Sequence, residues 1–321
     1  MQNLIVQAGC QPDSPFTVFI MGPTATGKTD LAIAIFNELP SEIISVDSAL
    51  VYQGMNIGSA KPDVETLKKV PHHLIDFIDP VDNYSAGEFR DDVLTIMQDS
   101  VNSKRLPVLV GGTMLYFNAL QKGIANLPDI DASVRDNIAQ EEINEGLESM
   151  HRRLQKVDPI SAQRIHLNDS QRIKRALEVF DSSGKNLSYY WQQQAHQCLP
   201  YRAIKIALVP PDRVELRQRI AQRFDLMLKQ GFIEEVEALR QRPDLHEKLP
   251  SIRAVGYRQV WAYLAGEDNF ETMREKAIIA TAQLAKRQMT WLRKETDCNF
   301  IEPAKLNTQE ILKKLRTLLS Y

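Results

Sequence analysis

Short apolar runs alternate with amphipathic segments of helical period along much of the chain. The clearest run, Phe16–Met21, is bounded by Pro15 and Gly22 and is typical of a strand buried on both faces of a parallel sheet. After Lys28 the apolar positions recur at helical spacing until Pro40. Further runs predict strands at Ile43–Val46, Leu74–Ile78, Leu106–Val110 and Ile204–Val209. Strands separated by helix-length segments favour an α/β domain with a parallel sheet flanked by helices.

The pattern changes between residues 129 and 200. Strand-like runs disappear, and polar and charged residues surround short helical patterns such as Ile173, Leu177 and Phe180. The strand-like pattern resumes at Ala203. We therefore predict a discontinuous α/β core of residues 1–128 and 201–321, interrupted by a helical insertion of residues 129–200. In the second part of the core, a helix around Arg219–Leu228 and a longer one over Glu271–Lys294 are predicted, the latter roughly 36 Å long if unbroken.

Composition narrows the protein class without identifying partners. The 321 residues are 43% apolar and 25% charged with a net charge of −2, so a nucleic-acid site would have to be a local basic surface. Cys10, Cys198 and Cys298 lie far apart, which indicates neither a zinc module nor a disulfide framework. No apolar run approaches the roughly 20 residues of a membrane span, and Met1–Ser14 does not resemble a signal peptide. We expect a cytoplasmic protein.

The segment Gly22–Thr29, GPTATGKT, matches the GxxxxGK[ST] pattern and lies between a predicted strand and a predicted helix. We call it the phosphate loop. Its glycines allow backbone N–H groups to point inward, and the following helix N-terminus favours an anion. Lys28 adds a positive charge, and the Thr29 hydroxyl can bind Mg²⁺. The loop therefore predicts a bound diphosphate or triphosphate.

The loop alone leaves the identity of that polyphosphate open. A kinase or NTPase commonly places a metal-binding Asp at the end of an apolar strand. The run Ile43–Val46 ends in Asp47, whereas Leu106–Val110 is followed by Gly111-Gly112-Thr113 without a carboxylate. A P-loop kinase or NTPase acting on a small metabolite or RNA therefore stays open but is disfavoured.

Several motifs, taken in order, resemble the tRNA dimethylallyltransferases, the bacterial isopentenyl transferase family. They are the phosphate loop, Asp47–Tyr52 (DSALVY), Pro71–Asp76 (PHHLID), Gly111–Thr113 (GGT), Gln171–Glu178 (QRIKRALE), Arg253–Arg258 (RAVGYR) and Lys286–Arg293 (KRQMTWLR). The likeness covers nearly the whole chain, and the motifs are jointly specific. The resemblance implies a P-loop NTPase-like core with an inserted all-helical domain that contacts tRNA.

The resemblance also implies the reaction. A dimethylallyl group would pass from dimethylallyl diphosphate to N6 of adenine 37, beside the anticodon of tRNAs that read codons beginning with U. Diphosphate would leave, with Mg²⁺ as cofactor and the tRNA anticodon stem-loop as partner. We expect a monomer with no membrane partner. Two rivals stay open besides the kinase: a nucleotide-gated RNA-binding module and an adenylate isopentenyltransferase that acts on free nucleotide.

The resemblance assigns site residues in three groups. Catalytic roles fall to Thr24, Lys28, Asp47 and Arg223. Diphosphate binding falls to Gly22, Pro23, Thr24, Ala25, Thr26, Gly27, Lys28 and Thr29, with Thr29 as the metal ligand. Contacts with tRNA fall to Asp47, Ser48, Ala49, Leu50, Thr113, Arg135, Gln171, Arg172, Ile173, Lys174, Arg175, Arg253, Ala254, Val255, Gly256, Tyr257, Arg258, Lys286, Arg287, Gln288, Met289, Thr290, Trp291, Leu292 and Arg293.

Each assignment has a simpler structural alternative. Asp47 suits a general base for the N6 proton, but it could also bind a metal or cap a helix. Arg223 suits the diphosphate because a guanidinium grips two oxygens at once, although alone it is typical of a solvated helix charge. Each basic cluster alone would also be a solvated helix face. We interpret His72-His73 as structural, because adjacent side chains of a strand point to opposite faces.

Overall fold

The computed structural model describes residues 4–193 and 198–319. The predicted domain ends at residues 1 and 321 lie outside the described residues, as do residues 194–197 of the predicted insertion. The strands are β1 (Phe16–Met21), β2 (Ser41–Val46), β3 (His72–His73), β4 (Leu106–Gly111), β5 (Arg202–Leu208) and β6 (Cys298–Ile301). The helices are α1 (Lys28–Glu38), α2 (Val64–Lys69), α3 (Ala86–Asn102), α4 (Met114–Lys122), α5 (Ala132–Val157), α6 (Pro159–Arg164), α7 (Ser170–Ser183), α8 (Leu187–Gln193), α9 (Arg213–Lys229), α10 (Phe232–Arg240), α11 (Tyr257–Leu264), α12 (Phe270–Leu292) and α13 (Thr308–Leu319).

Within the described residues, the six strands form one parallel sheet in the order β3-β2-β4-β1-β5-β6. The predicted α/β class with a parallel sheet flanked by helices is confirmed. β1 lies at the centre, where Val18 is opposite Val108 of β4 and Ile204 of β5. Because all strands run the same way, the loops after β1, β2 and β4 emerge at one edge of the sheet, where ligands of open α/β sheets bind.

The two faces of the sheet bury different side chains of the same strands. Phe19 and Met21 of β1 pack on one face with Phe89 of α3, whereas Val18 and Ile20 pack on the other face with the α1 helix. This alternation explains why the strands read as continuous apolar runs, since both faces are covered by helices. The sheet thereby fixes the position of the phosphate loop between β1 and α1.

The predicted strand Leu74–Ile78 is wrong. In this part of the described chain the pairing with β2 is made by His72 and His73, just before the predicted run, and Leu74 and Asp76 then adopt positive φ angles of 58° and 59°. A ladder cannot continue through left-handed residues, so the chain turns away and Ile78 makes only an isolated bridge to Tyr52. The short edge strand β6 was not predicted.

The chain divides into two compact units, residues 1–121 with 198–321, and residues 122–197. The regular secondary structure described in the second unit is helical and follows a non-helical segment at residues 123–131, and Gly146 breaks α5 with a φ of 77°. Its core contains a buried carboxylate, Asp158, which accepts hydrogen bonds from the N–H and the hydroxyl of Ser161 and from the N–H of Ser188. Among the described helices, none is both long enough and apolar enough to span a membrane. The cytoplasmic location stays a prediction.

Candidate active site

A cavity of about 860 Å³ opens at the carboxyl edge of the sheet, within the first unit. The phosphate loop, the segments after β2 and β4, residues 58–62, α9 and α12 contribute its walls. All four residues predicted to be catalytic, Thr24, Lys28, Asp47 and Arg223, line it. The fold therefore brings together side chains that are far apart in sequence.

The phosphate loop is held in shape by its own side chains. The Thr26 hydroxyl and the Lys28 ammonium both donate hydrogen bonds to the carbonyl oxygen of Pro23, at 2.9 and 2.6 Å. A Cβ on Gly22 would lie 2.6 Å from the carbonyl oxygen of Leu208, so only glycine fits there. Gly27, the residue before α1, has no side chain to cap the helix, which leaves the N–H groups of the first turn available to an anion.

The Lys28 ammonium, the Asp47 carboxylate and the Arg223 guanidinium interact electrostatically in the cavity. Burial lowers the pKa of Lys28 to about 8, an effect that the negative charge of Asp47 opposes. Burial raises the pKa of Asp47, although the hydrogen bond from the Ala49 N–H and the Lys28 charge oppose the rise. Burial also lowers the pKa of Arg223, which still carries its charge at neutral pH. Since Arg223 has no ion-pair partner within residues 4–193 and 198–319, its guanidinium is available to a bound diphosphate.

A second corner of the cavity joins the segments after β2 and β4 to α12. The Thr113 hydroxyl accepts a hydrogen bond from the Ser48 N–H at 3.0 Å. The Gln288 amide Nε2 donates to the carbonyl of Gly112 at 2.9 Å, and a Cβ on Gly112 would overlap that nitrogen. The Gln288 Oε1 is consequently left buried, with no hydrogen-bond donor among the described residues. This corner presents a buried acceptor in the same cavity as Asp47.

The α12 helix presents one stripe of side chains to the cavity. Thr281, Leu284, Gln288 and Trp291 recur at intervals of three and four residues, so they share one helix face. Trp291 is 37% exposed and can offer its ring to an unpaired base. The remaining predicted tRNA-contacting residues of this helix divide by exposure. Leu292 is buried, Met289 is half-buried, and Lys286, Arg287 and Thr290 are exposed, as is Arg293 directly after the helix. Arg287 also lines the cavity.

The Arg253–Arg258 segment is partly structural. Arg253 and Arg258 are exposed, but Tyr257 is fully buried and its hydroxyl donates to Glu235 Oε1 at 2.7 Å. Glu235 also accepts from the N–H groups of residues 56, 57 and 58. Tyr257 and Glu235 therefore hold the segment that forms one wall of the cavity.

The other predicted tRNA-contacting residues lie in the helical unit. Arg135 is exposed on α5, and Gln171 and Arg172 are exposed on α7. The basic side chains of α7 are paired with acids, as in Lys174 to Glu142 at 2.6 Å and Arg172 to Asp169 at 3.0 Å. Arg175 lies 3.6 Å from Glu178, and Ile173 is buried in the core of the unit. The exposed positions are those that could reach a partner directly.

Sequence reasoning missed several residues of the cavity wall, among them Ser45, Gly58, His72 and Phe232. His72 was interpreted as structural together with His73. Strand alternation instead separates the pair, because His72 lines the cavity while His73 binds Glu42 at 2.9 Å. The alternation of side chains along β3 was the available signal.

Thr29, the predicted metal ligand, lines the cavity, and its role as a ligand stays a prediction. Within the part of the chain that the structure describes, no cluster of three or more His, Cys, Asp or Glu side chains could hold a metal ion. A hydroxyl oxygen is the type of ligand that Mg²⁺ commonly binds together with phosphate oxygens and water.

Comparison with known proteins identifies relatives over nearly the whole chain. The IPP transferase family model matches residues 50–295. The tRNA dimethylallyltransferase of Thioalkalivibrio sulfidiphilus is 55% identical over 309 residues, which cover 96% of this chain and 97% of the relative. The tRNA dimethylallyltransferase of Methylococcus capsulatus is 53% identical over 288 residues, which cover 90% of this chain and 92% of the relative.

Solved structures agree with these relatives. The tRNA isopentenylpyrophosphate transferase of Bacillus halodurans superposes with a TM-score of 0.68 at 32% identity, covering 95% of each chain. A eukaryotic dimethylallyltransferase acting on tRNA gives a TM-score of 0.78 at 23% identity, covering 95% of this chain and 78% of that one, and supports the fold alone. The P-loop NTPase-like class predicted for the core is confirmed by these neighbours.

Proposed function

The chain belongs to the IPP transferase family, and from this premise we propose that it is a tRNA dimethylallyltransferase. It transfers a dimethylallyl group from dimethylallyl diphosphate to N6 of adenine 37 in tRNAs that read codons beginning with U. The single observation that carries the proposal is the cavity itself. It brings the phosphate loop, Lys28 and Arg223 together with the carboxylate of Asp47, whose pKa is raised, beside a helix face that ends in an accessible Trp291.

Stabilisation of the leaving group is the first requirement of this reaction. An allylic carbon separates readily from diphosphate when the developing negative charge is neutralised. The Lys28 ammonium, the Arg223 guanidinium and the uncapped N-terminus of α1 all present positive charge at the cavity. The Thr24 hydroxyl lines the same wall and can donate to a phosphate oxygen.

Asp47 is suited to act as the general base. The exocyclic amine of adenine is a poor nucleophile because its lone pair is delocalised into the ring. As the N6–carbon bond forms and the carbon–oxygen bond to diphosphate breaks, a carboxylate oxygen of Asp47 takes the N6 proton. One oxygen of Asp47 already accepts from the Ala49 N–H at 2.8 Å, which orients the carboxylate. A raised pKa makes this group a better proton acceptor than an ordinary aspartate.

Mg²⁺ is the proposed cofactor. Bound to diphosphate oxygens and to the Thr29 hydroxyl, it would supply positive charge to the leaving group. The residues present fit this role, since Thr29 lies at the cavity and the lining also includes buried polar atoms that have no hydrogen-bond partner among residues 4–193 and 198–319. The chain's own cations, Lys28 and Arg223, would share that charge with the ion.

The tRNA anticodon stem-loop is the proposed partner. Sequence-specific recognition of RNA uses unpaired bases that stack on flat side chains, so adenine 37 would leave the anticodon loop and enter the cavity. Trp291 offers the flat surface, and Lys286, Arg287 and Arg293 offer positive charge for backbone phosphates. We propose that the helical unit adds a further contact through Arg135 and Arg172. A monomeric state also stays a prediction.

Prenyl transfer is tested by incubating the protein with dimethylallyl diphosphate, Mg²⁺ and unmodified tRNA, followed by mass analysis of the nucleosides. We expect N6-isopentenyladenosine and stoichiometric diphosphate. A parallel incubation with ATP tests the kinase and NTPase alternative, and one with free AMP tests the nucleotide-prenylating alternative. ATP hydrolysis without prenylated adenosine in tRNA would reject the proposal.

A further inference from the structure

Three side-chain atoms that line the cavity are buried and have no hydrogen-bond partner among the described residues. They are Ser45 Oγ, His72 Nε2 and Gln288 Oε1. A buried polar atom without a partner is unfavourable, so such atoms commonly await water or a ligand. Gln288 already belongs to the predicted tRNA-contacting set. Ser45 and His72 have no assigned role.

The chemistry of His72 is defined by its other ring nitrogen. Nδ1 lies 2.7 Å from the carbonyl oxygen of Val70. A carbonyl only accepts, so Nδ1 carries the hydrogen and donates it. Burial lowers the pKa of His72, which keeps the ring neutral. Nε2 therefore has a free lone pair, and His72 presents a hydrogen-bond acceptor to the cavity.

Strand register places Ser45 and His72 on the same side of the sheet. His72 of β3 is opposite Ile43 of β2, and Ser45 follows Ile43 by two residues. Side chains of residues two apart share a face, so Ser45 and His72 lie on the face where Ile43 packs with the apolar side chains of α1. Thr29 is in the first turn of that same helix, and it lines the same cavity.

The group that faces His72 must supply a hydrogen-bond donor because the Nε2 atom of the neutral ring can only accept, whereas the Ser45 hydroxyl can donate or accept. Ionised dimethylallyl diphosphate has only acceptor oxygens, but water molecules bound to a divalent cation are strong donors. Mg²⁺ usually keeps several of its waters, and no protein cage of acids and histidines replaces them within the described residues. Imidazole is also a poor direct ligand of Mg²⁺, which favours contact through water.

We propose that Ser45 and His72 accept hydrogen bonds from water molecules on the divalent cation that accompanies the diphosphate. They are positioning residues that hold the hydrated cation against Thr29. The inference rests on the proposed function for the identity of the diphosphate, and it extends that function to Ser45 and His72, to which the family resemblance assigns no site role.

Calorimetric titration of inorganic diphosphate, with and without Mg²⁺, isolates this contribution. We expect Mg²⁺ to tighten diphosphate binding to the wild-type protein. His72→Phe removes the acceptor and should reduce that enhancement by about 10- to 100-fold, the usual effect of losing a group that orients metal-bound ligands. Binding of diphosphate without metal should stay unchanged, which also reports that the variant is folded. His72→Gln keeps an acceptor and should restore part of the enhancement.

His73→Phe is the matched control, because His73 is the neighbouring histidine and binds Glu42 outside the cavity. It should keep the full effect of Mg²⁺. The proposal is overturned if Mg²⁺ does not tighten binding to the wild type, or if both Phe variants behave alike. It is also overturned if His72→Phe weakens tRNA binding while leaving the Mg²⁺ effect intact. None of these measurements requires prenyl transfer, so failure of the proposed function would be seen separately.

Discussion

Replacing Asp47 with Asn separates its chemical role from its shape. The amide oxygen can still accept from the Ala49 N–H, which binds the carboxylate at 2.8 Å. The second oxygen becomes an NH₂ group, which donates hydrogen bonds and cannot take a proton from N6. The change also removes the negative charge that faces Lys28 and Arg223.

The expected loss of rate follows from the base role. A positioned general base contributes about 10²- to 10⁴-fold, which corresponds to about 3 to 5 kcal/mol of transition-state stabilisation. Single-turnover measurement of prenylated adenosine should show this loss, while filter binding of tRNA should change little. Asp30→Asn is the control, since Asp30 is the other carboxylate of the cavity wall. Its rate should stay close to that of the wild type.

The same variant should not lose thermal stability. Burial raises the pKa of Asp47 above its unfolded value of 3.8, so the native state binds the proton more tightly than the unfolded chain. The free energy of unfolding therefore falls as pH rises from the unfolded towards the folded pKa of Asp47. At neutral pH the protein is still destabilised by the buried carboxylate. The Asp47→Asn substitution removes the carboxylate and with it this destabilisation, so the midpoint temperature of thermal unfolding should rise. Nearly normal turnover, or a lowered midpoint at pH 7, would refute the reasoning.

Three further predictions use the same structure. Lys28→Met should weaken diphosphate binding. It should also abolish the rise in the free energy of unfolding of the unliganded protein between pH about 8 and 10.5, because in that range the unfolded chain binds the Lys28 proton more tightly than the folded chain. Denaturant titrations at several pH values measure this rise. Gly111→Ala should lower the unfolding midpoint because its Cβ would overlap a backbone carbonyl, whereas Gly87→Ala in an open helix position should raise it slightly, as calorimetry can check. Lys286→Ala should reduce the salt slope of tRNA binding by about 1, whereas Lys174→Ala should reduce it less because its ammonium is already ion-paired; equal slopes in both variants would contradict this.

The parts of the fold that sequence predicted well are those where burial on both sides leaves a continuous apolar run. β1 spans Phe16–Met21 as predicted, and α1 ends at Glu38, shortly before Pro40. The predicted helix over Glu271–Lys294 is observed as Phe270–Leu292, with Asn269 capping it through the Thr272 N–H. These elements are decided by local pattern and capping residues.

The failures occur where long-range contacts outweigh local pattern. Residues 74–78 are apolar enough for a strand, but Lys61 binds Asp76 at 2.5 Å and the carbonyl of Tyr52 at 2.8 Å, which holds the segment in a turn. The short β6 strand depends on pairing with β5, a partner far away in sequence. Neither interaction is visible in a window of neighbouring residues.

The site shows the same division. The phosphate loop is contiguous, so its residues could be read directly from the sequence. The acceptor at Gln288 arises because its amide nitrogen meets the carbonyl of Gly112, which is distant in the chain. His72 and Ser45 come together through the register of β2 and β3. Unpartnered atoms of this kind become visible only when the partners of every buried polar group are known.

The structure also gives a physical reason to disfavour phosphoryl transfer. In P-loop NTPases an Asp commonly ends a strand near the phosphate loop and holds the metal ion. Here β4, the neighbour of β1, ends in Gly111, and any Cβ at that position would overlap the carbonyl oxygen of Val46. A carboxylate is therefore sterically excluded from the position. The carboxylate next to the phosphate loop and Arg223 lies instead after β2, at Asp47. Its raised pKa favours a role as proton acceptor over a role as metal ligand. Introducing a Walker-type Asp at residue 111 should consequently yield an unfolded chain and not an ATPase, and a folded Gly111→Asp variant with ATPase activity would contradict this account.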